Sequence, residues 1–146
     1  MLLPACYPEV ERMESVIRHP YDERGRSPAL QRYQLGREMM ARGSHAEALP
    51  VLMESARESP HFKTFEVLGE CLVALGRPAE AVPWLAAATT LNRNSRSPTL
   101  LAETWLVLGR IHAARSALDL ALERNPRHRR ALRLAKELAD HPDLRE

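Results

Sequence analysis

The sequence predicts an all-α protein, a solenoid of stacked antiparallel helix pairs, and three observations carry that prediction. Gly43, Gly76 and Gly109 stand 33 residues apart, and each closes one short helical pattern and opens another. The same spacing relates Leu35, Leu68 and Leu101, then Ala48, Ala81 and Ala114, then Leu52, Leu85 and Leu118, and finally Ser55, Ala88 and Ala121. Near-identical segments also recur, Ala46-Glu-Ala-Leu-Pro50 and Ala79-Glu-Ala-Val-Pro83. A fixed period of this length marks units too small to bury their own apolar face, which therefore stack on one another.

Residues 1–28 precede the periodic pattern and are expected to form an N-terminal helix and a connector. Pro8 to His19 sets Val10, Met13 and Ile17 on one face, and a polar stretch from Pro20 to Pro28 follows. A helix that short is marginal alone. It is expected to dock on apolar surface of the repeat array or on a second copy of the chain. The array occupies 29–146, with repeats at about 29–60, 62–93 and 95–126 and a last helix at about 128–140.

Within each unit, apolar residues one turn apart in the first helix form a stripe that must meet a partner: Leu35 with Met39, Leu68 with Leu72, Leu101 with Trp105. Gly43, Gly76 and Gly109 then sit just past a helix end, where a left-handed residue without a Cβ terminates the helix at no steric cost. Pro50 and Pro83 fall early in the second helices and are expected to bend them slightly without breaking them. After Pro126 the pattern restarts with Ala131, Leu134, Ala135 and Leu138 but no second helix follows. Arg130, Arg133 and Glu137 on its other side are polar, as suits the closing helix of a stack.

These columns resemble the tetratricopeptide repeat, a helix–turn–helix of about 34 residues. In that register Leu35-Gly36 takes the Leu-Gly pair of helix A, Met39 the large apolar position, Ala48 the small residue where helices A and B cross, and Pro60 the end of helix B. The second unit repeats this with Phe65, Leu68-Gly69, Leu72, Ala81, Leu85 and Ala88, with Arg93 in place of the terminal proline. The third has Leu101-Ala102, Trp105, Ala114, Leu118, Ala121 and Pro126; it lacks the helix A glycine and has Pro98 where an aromatic residue is usual. Ankyrin repeats share the period, but their Thr-Pro-Leu-His turn is absent.

Bulk properties agree with one small domain of 146 residues, and a formal charge of +2 argues for no particular partner. No apolar run approaches the roughly 18 residues of a membrane span. Cys6 and Cys71 lie far apart, which suggests reduced thiols in the cytoplasm, and the preference for Arg over Lys suggests a GC-rich bacterial genome. No phosphate loop, His-Glu-x-x-His, Gly-x-Ser-x-Gly or cysteine pair at metal spacing occurs. The six histidines are scattered without ligand spacing, and Cys71 falls mid-helix as a small core residue. Neither catalysis, a metal nor a cofactor is expected. The function then lies on a surface.

The resemblance implies where that surface is. In tetratricopeptide proteins the concave groove is lined by helix A side chains facing away from helix B. By matching motif positions, the first unit would offer Leu30, Tyr33, Gln34, Arg37, Met40 and Ala41, and the second Lys63, Glu66, Val67, Glu70, Val73 and Ala74. The third would offer Arg96, Thr99, Leu100, Glu103, Leu106 and Val107, with Leu132, Arg133 and Lys136 from the closing helix. So apolar a face usually marks an interaction site, although several of these side chains are also placed to touch neighbouring helices. The implied ligand is a protein or peptide segment, with Arg37, Glu70 and Glu103 setting its orientation.

The clamp by which some tetratricopeptide domains hold acidic chaperone tails uses Lys, Asn, Asn, Lys and Arg. Here those positions carry Tyr33, Arg37, Val67, Arg96 and Leu100, which argues against that ligand class. Type III secretion chaperones resemble this chain in size and in having three repeats behind an N-terminal helix, though they are usually acidic. A second candidate surface is basic: Arg124, Arg127, Arg129, Arg130, Arg133 and Lys136. Such a cluster can hold phosphates or acidic protein. No aromatic residues interleave for base stacking, which argues against nucleic acid.

Overall fold

Ser27 starts the first helix: its hydroxyl oxygen accepts the amide of Leu30 at 3.1 Å, and Pro28 takes the first helical position, where no N–H is needed. The computed structural model describes residues 27–142, so the helix expected over Pro8–His19 lies outside the described residues. Among those described, seven helices follow in order and no strand occurs: α1 Pro28–Ala41, α2 His45–Glu58, α3 Phe62–Ala74, α4 Pro78–Leu91, α5 Arg96–Val107, α6 Ile111–Arg124 and α7 Arg129–Ala139. Each packs on the next. α1, α3, α5 and α7 also touch in series, while α2, α4 and α6 approach one another less closely. The first helix of every pair therefore builds an inner wall and the second an outer one. Among the described residues no helix is long and apolar enough to cross a membrane.

The turns inside the pairs are copies of one another. Gly43, Gly76 and Gly109 have φ of +79°, +74° and +74°. Past each glycine the chain bonds back over the helix end, Ser44 N–H to Met39 O at 2.8 Å, Arg77 N–H to Leu72 O at 2.8 Å and Arg110 N–H to Trp105 O at 2.9 Å. A side chain at that φ would cost energy that glycine avoids.

Where paired helices cross, Ala48, Ala81 and Ala114 are fully buried, and the columns Leu52, Leu85, Leu118 and Ser55, Ala88, Ala121 form the core beside them. Gly36 and Gly69 allow the close approach. A Cβ on Gly36 would lie 2.6 Å from Leu52 Cγ, and one on Gly69 would collide with the branch of Leu85. Ser55, the one polar member of its column, donates its hydroxyl to the Ala29 carbonyl at 2.7 Å and so ties α2 to the start of α1. Pro50 and Pro83 sit inside α2 and α4, which run on unbroken. Pro98 occupies the first turn of α5.

One expected stripe is corrected. Leu35 is 44% exposed, whereas Leu68 in the same column is fully buried. Leu68 packs with Ala48 and Leu52 of the preceding pair, Leu101 with Leu72, Ala81 and Leu85, and Leu134 with Ala114 and Leu118. Burial in this column is thus conferred by the preceding unit, and α1 has none among the described residues. α7 buries Ala131, Leu134 and Leu138 against the third pair and turns Arg129, Arg133 and Lys136 outward.

Candidate partner-binding groove

Two recesses open on the inner wall because side chains there point away from the outer helices. The one between α3 and α5 has a volume of about 270 Å³; Val73, Leu100 and Val107 give it apolar sides, Leu85 reaches it from α4, and Glu70, Glu103 and Arg130 stand at its rim. The other, between α1 and α3, is lined by Tyr33, Arg37, Lys63, Val67 and Arg96 around the buried Glu66. Further along, Leu106 and Val107 meet Arg130, Arg133 and Leu134 of α7.

Pairing between successive inner helices sets the charge of this wall. Arg96 bonds Glu70 and lies 3.8 Å from Glu66, and Arg130 grips Glu103 through both nitrogens of its fork, one at 2.6 Å. Glu66 is only 5% exposed; it accepts the Ser97 hydroxyl at 2.9 Å, and burial outweighs that bond and Arg96 to push its carboxyl up. The guanidinium of Arg37 lies 5.7 Å from the centre of the Tyr33 ring, and burial raises the Tyr33 phenol despite it. Neither Arg37 nor Lys63 reaches a carboxylate among the described residues.

The groove expected from the helix A faces is therefore divided. Tyr33, Arg37, Lys63, Val67 and Arg96 come together in one recess, and Glu70, Val73, Leu100 and Glu103 in the other. Leu30, Tyr33 and Leu100 are buried, Leu100 in the core it shares with Leu72, Ala81 and Leu85. Met40 turns away into the first core, with its sulfur 3.2 Å from His45 Nδ1. Open apolar surface is left on Val107, 64% exposed, and on Leu132 of α7, with Val73 half-buried.

The basic cluster is also divided. Arg124 donates to the carbonyls of Thr89, Asn92 and Asn94 at 3.0, 3.1 and 3.0 Å, closing the C-terminal end of α4. Arg130 belongs to the groove through Glu103. Only Arg127, Arg129, Arg133 and Lys136 remain as exposed cations. Sequence reasoning placed Arg130 on the basic surface and missed it at the groove, where it reaches Glu103 across 27 residues of chain. Cys71 is a buried free thiol that donates to the His45 carbonyl at 3.2 Å, and burial raises its pKa, so it is poorly nucleophilic. Among the described residues no group of His, Cys, Asp and Glu could hold a metal.

Comparison with known proteins agrees with this architecture. A tetratricopeptide repeat family model matches residues 33–96. No curated protein sequence matches the chain. Among solved structures, the first tetratricopeptide domain of human RPAP3 is 17% identical, over 77% of this chain and 92% of that one, with a TM-score of 0.73. The Yersinia enterocolitica type III secretion chaperone SycD, in complex with a peptide of the translocator YopD, is 23% identical over 75% and 85% of the two chains, with a TM-score of 0.66. PcrH from Pseudomonas aeruginosa is 22% identical over 76% and 86%, with a TM-score of 0.65. What these likenesses establish is the fold.

Proposed function

We propose, on the tetratricopeptide repeat model that matches residues 33–96 and on the shared fold, that the chain is a non-enzymatic protein-interaction module, an adaptor or chaperone, that receives a segment of another protein along its inner wall. The observation that carries this reading is the apolar recess between α3 and α5, where Val107 is exposed and Val73 half-buried beside filled cores. Such a recess suits one apolar side chain of an extended or helical segment. The likeness to SycD and RPAP3 supports the reading. Val73→Ser with Val107→Ser should abolish binding of a partner copurified from the host, while circular dichroism stays unchanged. Retained binding moves the interface elsewhere.

A type III secretion chaperone is the second reading, favoured by the fold shared with SycD, solved with a peptide of the translocator YopD, and with PcrH, solved with the chaperone binding region of PopB. The formal charge of +2 counts against it. Binding of nucleic acid or an acidic ligand through the C-terminal cations is weaker still, because Arg124 and Arg130 are engaged inside the fold. Salt distinguishes these surfaces, since phosphate contacts fade in salt that apolar contacts survive. The buried reduced thiol of Cys71 supports a cytoplasmic setting, and the arginine-rich composition a bacterial one. A second copy of the chain is a further partner, through the face that carries Leu35.

A further inference from the structure

We propose that the received segment is acidic as well as apolar: one apolar side chain enters the recess between α3 and α5, and side-chain carboxylates beside it meet Arg37 and Lys63 between α1 and α3. This rests on the groove being the binding site. Three carboxylates face it from α3 and α5, and each is answered from the following inner helix or its approach. Glu66 has Ser97 and Arg96, Glu70 has Arg96, and Glu103 has both nitrogens of Arg130.

The cations are not used up in this way. Arg37 rests on the Tyr33 ring, itself a neutral neighbour, and Lys63 has no carboxylate within ion-pair distance among the described residues. Glu38, next to Arg37 in sequence, shares a shallow recess with Arg37, Gln34 and Ala41 but makes no ion pair with it. Both cations line one recess whose only other cation, Arg96, is engaged. That recess therefore offers positive charge without a carboxylate partner among the described residues, while its neighbour offers an apolar hollow with its own charges already paired. A ligand complementary to the two together carries negative charge at one end and an apolar anchor at the other.

The order of the recesses also fixes the ligand's direction. Its carboxylates lie toward α1 and its anchor toward α5 and α7. Buried carboxylates would cost desolvation that Arg37 and Lys63 could not offset. Both cations are exposed, however, so the ligand's carboxylates stay hydrated at the groove mouth. There they contribute selectivity and a salt-dependent association rate.

The test uses the full chain and a fluorescein-labelled peptide with a leucine and a run of glutamates joined by a glycine–serine spacer, amidated so that only side-chain carboxylates act. It is made in both sequence orders. A matched peptide has glutamine for every glutamate. The glutamate peptide in its better order should bind about tenfold tighter at low salt, the scale of two exposed ion pairs. Arg37→Ala with Lys63→Ala should erase that preference, bringing the two peptides to equal affinity, with the circular dichroism unchanged.

Equal binding of both peptides, lost in Val73→Ser with Val107→Ser, would overturn the charge proposal and leave the groove reading standing. No binding of either at millimolar peptide would overturn both. A preference for glutamate that survives Arg37→Ala with Lys63→Ala would assign the carboxylates to other cations and sink the proposal. Binding seen only after Glu9→Gln, Glu11→Gln and Glu14→Gln together would show that the chain's own first residues take the groove, which also overturns an outside partner.

Discussion

Leu85 fills the space that Gly69 leaves by lacking a side chain: a Cβ there would collide with Leu85 Cδ2 and Cγ. Gly36 stands in the same relation to Leu52, whereas the third pair accommodates Ala102 against Leu118. Gly69→Ala gains up to about 1 kcal/mol in helix propensity but overpacks the crossing by roughly 1–3 kcal/mol. The net expectation is a lower thermal midpoint, which Leu85→Val restores in part. A rise in midpoint for Gly69→Ala alone would show that α3 and α4 have room to separate.

The alanine column makes the same demand from the other helix. Ala48 and Ala81 are fully buried at their crossings. Ala48→Leu or Ala81→Leu should each destabilise the stack by roughly 1–3 kcal/mol, read as a shift of the melting curve in circular dichroism. Unchanged midpoints for both would mean that the alanines do not mark the crossing.

Much of this was legible in the sequence because core columns repeat wherever the same neighbours repeat. The glycine ends, the alanine crossings and the leucine column of the outer helices depend on contacts inside one pair, so a period of 33 residues exposes them. Leu35 misleads for the opposite reason, since burial there is supplied by a unit before it. At the groove, the faces of α1, α3 and α5 could be read from periodicity, but the fate of each charge could not. Glu70 with Arg96 and Glu103 with Arg130 join neighbouring units, and periodicity is blind to whether two long side chains meet. Leu100 is hidden because α5 packs it against Leu72, Ala81 and Leu85 of the preceding pair, which follows from the stacking geometry and not from α5 alone.

Arg124 separates the structural from the available part of the basic cluster. Arg124→Ala leaves the last carbonyls of α4 without their donor and should cost about 1.5–3 kcal/mol, while Arg127→Ala, on the surface, should stay within about 0.5 kcal/mol. Urea unfolding measures both. Equal effects would mean that the guanidinium contacts contribute nothing net.

Glu66 gives the stack a defined pH response. Burial holds its folded pKa above the ordinary 4.5, so its stabilising contribution is complete below that value and is lost as pH rises through the folded pKa. Glu66→Gln keeps an oxygen to accept the Ser97 hydroxyl and removes the buried charge. The midpoint of the variant minus that of the parent should therefore grow from pH 4.5 to neutral. A difference that stays flat or shrinks would show that Arg96 fully compensates the carboxylate.

Stacked repeats can in principle peel away one at a time, because each unit contacts only its neighbours. The guanidinium of Arg124 works against such peeling at one joint. It belongs to the third pair yet holds the carbonyls of Thr89, Asn92 and Asn94, which end the second pair and lead into α5. Under a stretching force, or in slow hydrogen exchange, α6 cannot lift away unless that joint opens as well. The second and third pairs are thereby fused into one mechanical block, and both recesses of the groove have walls on it: the block sets the spacing between anchor and charge that a ligand must match.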